Sequence, residues 1–184
     1  TKWSFALLAL VSVAMIGAGC SSTPSPADGG TADQRDYIED ETLESFDQDL
    51  RALALAIQRS EVDSERSLRT KISESARLYQ KALISALYDD SSTPRRALAS
   101  VMLGFTGDAS VVSPLIDKVK DEDEPESVRL NAVLGLATLG DKLRDFDKHG
   151  QLMSAFSSQM ETKETSYAMR RASILAYSVA YDGA

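Results

Sequence analysis

Two stretches of this chain repeat each other at a distance of 33 residues, and that self-similarity limits the folds open to it more than any other feature. RRALASVMLGFTGD (Arg95–Asp108) lies over VRLNAVLGLATLGD (Val128–Asp141): Arg96 falls on Arg129, Ala99 on Ala132, Leu103 on Leu136, and both stretches close in Gly-Asp. Upstream, LISALYDD (Leu83–Asp90) has the same profile as LIDKVKDE (Leu115–Glu122). Each unit therefore reads as two helices, one ending near an acidic turn and one starting near an arginine. A period of this size with two helices per unit is the sequence mark of a stacked array, because one pair cannot bury its own apolar face. The expected fold is all-α: a short right-handed α-solenoid.

Spacing assigns the packing. Ala99, Ala132 and Gly135 leave room for neighbouring helices to approach, and Leu103, Leu136, Val112, Leu115, Ile116 and Val119 are expected to fill the interior. Gly107 and Gly140 suit the left-handed conformation that ends a helix, and the aspartate after each can start the next. Arg129 is expected to reach carbonyls or the Asp121 and Asp123 carboxylates of its preceding turn, holding turns in register. A third unit is weaker. Leu152, Met153, Phe156 and Met160 supply its first helix and AMRRASILAYSVAYDG (Ala168–Gly183) its second, with Arg170 in the place of Arg129 but Tyr181 in the place of Gly140.

Ahead of the repeats, Leu43, Phe46, Leu50, Leu53 and Ile57 recur at spacings of three and four, which predicts a helix from about Asp36 to Ser60. Leu68, Ile72, Ala76, Tyr79, Leu83 and Leu87 form a second such face, with the break at Ser60 to Glu65. One long coiled-coil helix is disfavoured because the stripe is short and interrupted by Ala and Ser. The acidic cluster Asp36, Glu39, Asp40, Glu41 and Glu44 suits the positive end of a helix dipole, and it lacks the Gly-centred turn of a calcium loop.

The pattern across Ala76 to Asp141 resembles HEAT repeats, in particular the short HEAT-like form of phycobilin lyases, in which D-x-x-VR-x-x-A-x-x-ALG-x-x-GD recurs. The resemblance implies HEAT-like helical pairs over residues 76–184, with an N-terminal helical region at 34–75 whose first helix caps the array.

The amino-terminal end carries a different signal. Lys2 is followed by an apolar run from Phe5 to Ile16, then by the small residues Gly17, Ala18 and Gly19, and then by Cys20, the only cysteine. Residues 1–19 have the layout of a secretory signal peptide, and the uncharged stretch from Trp3 to Gly19 is short against the roughly 20 residues of a membrane span. The ending resembles the lipobox of bacterial lipoproteins, although Gly17 stands where Leu is usual. That resemblance implies a lipidated Cys20 bearing a diacylglyceryl thioether and an amide-linked acyl chain such as palmitate. It also implies release to the outer membrane, because Ser21 rather than Asp follows. Residues 20–33 continue as a Ser/Pro/Gly-rich tract, SSTPSPADGGTAD from Ser21 on, a flexible tether able to span roughly 20 Å. The expected location is the bacterial cell envelope, lipid-anchored on the periplasmic face.

Composition and motifs narrow the chemistry. With a net charge of −8 the chain lacks the cation excess that binds phosphate backbones, so nucleic acid is a poor partner. With one cysteine no intramolecular disulfide forms. His149 is the only histidine and stands in a polar DKHG loop, and neither HxxxH, CxxC nor G-x-S-x-G occurs. No catalytic, metal or cofactor-binding residues are assigned, and no enzyme activity is expected. Tyr167, Arg170, Arg171, Tyr177 and Tyr181 are the candidate interaction surface, since Tyr and Arg are frequent interface anchors. The alternative for Tyr177 and Tyr181, which share a helix face, is partial burial at the end of the array. The expected function is a membrane-anchored scaffold binding a protein partner whose identity the residues do not name. A small-ligand lyase or chaperone is the alternative from another class, and a purely structural envelope component is a third.

Overall fold

The computed structural model describes residues 37–89, 91–140, 142–143, 150–161 and 166–181; among them all regular structure is helical. In chain order the α-helices are α1 (Asp40–Gln58), α2 (Val62–Leu78), α3 (Gln80–Leu87), α4 (Thr93–Gly104), α5 (Val112–Lys120), α6 (Glu126–Leu139), α7 (Gln151–Glu161) and α8 (Tyr167–Tyr181), with a 3-10 turn at Ala109–Val111 before α5. The all-α expectation is met. Helix α1 opens on Asp40 and Glu41, where the exposed N–H groups of the first turn favour negative charge. It stops at Arg59–Ser60, and Ser60 takes φ 57°, a left-handed conformation uncommon outside glycine.

The apolar face from Leu68 to Leu87 is not one helix. Tyr79 (φ −102°, ψ 14°) separates α2 from α3, although Ile72, Ala76, Leu83 and Leu87 on either side are all buried. Long-range bonds gather at this break. Arg77 Nε donates to the Thr106 carbonyl at 2.9 Å, and Gln80 Nε2 donates to Asp108 Oδ2 at 2.7 Å. The Tyr79 ring meets Phe46 edge-on, with centroids 5.7 Å apart.

Helix α4 begins with Ser92, whose side chain accepts the Arg95 N–H, and with Pro94 in its first turn, where a missing N–H costs nothing. It ends at Gly104, three residues before the glycine expected to stop it. The hydroxyl of Thr106 donates to the Leu103 carbonyl at 2.7 Å and accepts the Asp108 N–H at 3.2 Å, so a threonine closes this end. Gly107 then turns the chain with φ +66°. Asp108 accepts the Ser110 N–H at 2.9 Å and opens the turn into α5, as its position after the glycine predicts. Gly140, with φ 57° and ψ −123°, does end α6.

Packing follows chain order. Helices α1, α4, α6 and α8 touch in succession, while α3 lies on α4, α5 on α6, and α7 on both α8 and α5. Helix α6 is enclosed by α4, α5 and α8, which explains apolar residues around its whole circumference instead of on one stripe. Its crossing with α4 is backbone to backbone. A Cβ on Gly135 would stand 2.3 Å from the Ser100 carbonyl oxygen, and one on Gly104 would stand 2.3 Å from that of Gly135. Ser100 fits beneath because its hydroxyl folds back onto the Arg96 carbonyl at 2.8 Å. Leu103, Leu136, Val112, Leu115, Ile116 and Val119 are buried as expected, in one apolar cluster running from Ile38 to Ala180.

Candidate interaction surface

Helix α8 starts at Ser166, whose hydroxyl donates to the Glu126 carboxylate and accepts the Met169 N–H at 3.2 Å. That pair of bonds pins the first turn of α8 to the first turn of α6. Met169, Ala172, Ser173, Ala176 and Ala180 are then buried. The helical period carries Tyr167, Arg171 and Ile174 to the opposite side, where Tyr167 is 79% and Ile174 57% exposed. Arg171 is exposed between them.

The five residues singled out in the sequence therefore separate into two groups. Tyr167 and Arg171 stand on the outer ridge. Tyr177 and Tyr181 lie on a flank, half-buried against the core, with ring centroids 4.8 Å apart. Arg170 is half-buried as well. Burial thus holds for Tyr177 and Tyr181, whereas Tyr167 is exposed. Ile174 belongs to the ridge and was missed. The repeat alignment contains the signal for it, because matching Arg96, Arg129 and Arg170 also matches Ser100, Val133 and Ile174. Ser100 and Val133 are fully buried, Ser100 with Gly135 of α6 against its carbonyl, whereas Ile174 is open, so the third member of the set is exposed where the first two are sealed.

A buried ionic group ties the repeats together. Glu124, in the turn before α6, accepts Arg96 Nε at 3.1 Å and Lys118 Nζ at 2.5 Å. Arg96 also donates to the Asp89 carbonyl at 2.8 Å, and the Lys118 ammonium sits 5.0 Å from the centroid of the Tyr88 ring. All three charged side chains are less than 10% exposed, which makes removal of one partner costly for the others. Arg129 does not repeat this arrangement. Among the described residues its Nε is buried without a hydrogen-bond partner, and it forms no bond to Asp121 or Asp123, contrary to expectation. The reason is the turn residue: in the α5–α6 turn it is Glu124, not Asp121 or Asp123, that points inward, and it serves the arginine of the preceding unit.

Two aspartates are held more acidic than usual. Asp108 is lowered first by the Gln80 amide and then by the Ser110 N–H and hydroxyl, all donating to it. Asp89 is lowered chiefly by the Ser91 hydroxyl and N–H. The Asp89 shift comes from a local turn, and the Asp108 shift from the Gln80 amide reaching across from α3 together with the cap at Ser110. Among the described residues no group of three or more His, Cys, Asp or Glu side chains is placed to hold a metal ion, and no helix is long and apolar enough to cross a membrane. Cys20, the tether and His149 lie outside the described residues. Compared with protein-family models, with characterised proteins and with solved structures, the chain matches none.

Proposed function

We propose that this chain is a lipid-anchored scaffold of the bacterial envelope, a short right-handed solenoid of HEAT-like pairs that binds a protein partner through the outer ridge of α8. The observation that carries this reading is the open position at Ile174, flanked by Tyr167 and Arg171, in a row of helices where the equivalent residues Ser100 and Val133 are sealed. An exposed aromatic, an arginine and a branched aliphatic side chain on one rigid ridge are the residue types that dominate interface energetics. The succession of helix contacts in chain order supports the solenoid, and the 33-residue repeat supports its HEAT-like character. The anchor rests on the apolar run, the small residues and Cys20. Acyl chains at Cys20 contribute about 0.8 kcal/mol per buried methylene, so several chains hold the domain stably at the periplasmic face of the outer membrane.

Two measurements test the two halves of the reading. Mass analysis of the native amino-terminal peptide is expected to show Cys20 as the first residue with acyl chains attached; leader residues still joined to an unmodified Cys20 would refute the anchor. A photo-crosslinking residue at Ile174 is expected to capture a defined protein, whereas the same group at exposed Arg66 on α2 captures none. Equal capture from both positions, or retention of a small pigment or metabolite in place of a protein, sinks the scaffold.

A further inference from the structure

Among the described residues the row α1–α4–α6–α8 presents an outward ridge at each end, and the chemistries of the two are opposite. Helix α8 carries Arg170 and Arg171 and no acidic residue. Helix α1 carries Asp40, Glu41, Glu44, Asp47 and Asp49 against the single cation Arg51. With Leu43, Phe46, Leu53 and Ile57 of α1 buried, the helical period places Glu41, Glu44, Gln48 and Leu55 on the side turned away from the core, and Leu55 is 48% exposed. Neither Glu41, Glu44 nor Arg171 has an ion-pair partner among the described residues. One end thus offers a free cation beside an exposed isoleucine, and the other offers free carboxylates with an exposed leucine on the same ridge.

We propose that the outer ridge of α8 docks the outer ridge of α1 from a second copy of this chain, so that the row of helices continues from one molecule into the next. The inference rests on α8 being a docking face, as argued above, and needs no lipid anchor. Within one molecule the equivalent positions Ser100 and Val133 are sealed, and at Ser100 it is helix α6 that lies against the backbone; a helix is therefore the occupant whose shape fits. Among the described helices, α1 is itself terminal in the row and bears the complementary charge. The contact joins two different surfaces, so an assembly of any length retains one free α1 and one free α8, and it is open rather than a closed pair.

Sedimentation velocity of the full chain in density-matched detergent tests this. The wild type is expected to form concentration-dependent species beyond the dimer, weakening as salt rises because part of the attraction is between exposed charges. Ile174→Asp should abolish association, and Arg171→Glu and Glu44→Lys should each weaken it at least tenfold. All three sites are solvent-facing, so the far-ultraviolet helical signal should be unchanged. Mixing the Arg171→Glu and Glu44→Lys chains should restore association beyond the dimer with the two chains alternating, since the native pairing of Arg171 with Glu44 forms at one junction and the charge-reversed pairing at the next. A wild type that stays monomeric at all concentrations overturns the proposal, as does a dimer that stops at two copies and ignores Glu44→Lys. If the monomer still crosslinks a different protein from Ile174, the scaffold stands and the self-docking falls.

Discussion

Gly135→Ala is the sharpest test of how the two central helices meet, because opposite signs follow from contact and from mere proximity. In an ordinary helix interior, alanine in place of glycine stabilises by about 1 kcal/mol through propensity and a less flexible unfolded chain. Here the new methyl would lie 2.3 Å from the Ser100 carbonyl oxygen, whereas ordinary contact begins at 3.4 Å. Helices α4 and α6 would have to separate by about 1 Å, and a gap of that size forfeits roughly a quarter to a half of each dispersion contact. The fully buried Ala99, Leu103, Ala132 and Leu136 belong to these two helices and lose contacts with them. Overpacking of this kind costs about 1–3 kcal/mol and sometimes more, so a net loss of about 2 kcal/mol is expected after the propensity gain. For a domain of this size that is about 4–8 °C in Tm. Urea and thermal unfolding followed by circular dichroism read it directly. Gly104→Ala should behave alike, and the double variant should cost less than the sum, because one separation relieves both clashes. A Gly135→Ala protein as stable as the wild type, or more so, would refute the backbone contact.

Leu136→Asp is expected to abolish the native fold, since it places an unpaired carboxylate at a position with no solvent exposure; a retained helical signal and melting temperature would show the core to be elsewhere. Arg96→Ala should cost about 3 kcal/mol by removing one partner of buried Glu124, while Arg129→Ala should cost less than about 1 kcal/mol, and denaturant midpoints separate the two. Asp108 has a lowered folded-state pKa, so its share of stability is full above the unfolded value of 3.8 and disappears as pH falls through the folded value. The difference in denaturant midpoint between wild type and Asp108→Asn should therefore shrink as pH is lowered from 5 to 2 (about the range in which a carboxylate with a depressed pKa titrates), and a constant difference would remove the Gln80–Asp108 bond from the account.

The repeat made the buried leucines and the glycine stop at Gly140 readable, because a period reports which side of each helix recurs against the core. It placed the end of α4 three residues late, and the apolar spacing from Leu68 to Leu87 read α2 and α3 as one face. Thr106 closes α4 through bonds to residues three and two positions away, a stop that a rule built on glycine overlooks, whereas Arg77 and Gln80 reach across to the loop at Thr106–Asp108, contacts between residues about 30 positions apart and invisible to a local pattern. At the candidate surface, spacing put Tyr177 and Tyr181 together correctly but grouped them with Tyr167 and Arg171, because composition marks anchors without saying which flank of a helix its neighbours cover.

Periodicity and composition alone settled that this chain is helical, that Leu103 and Leu136 are interior, and that its arginines recur at matched places, since these depend only on the identity and spacing of side chains. Which carboxylate answers which arginine, where α2 yields to α3, and that Ile174 lies open while Ser100 and Val133 do not were decided by the assembled helices. Burial and pairing are properties of what stands opposite a residue, and only the packed row of α1, α4, α6 and α8 supplies an opposite side.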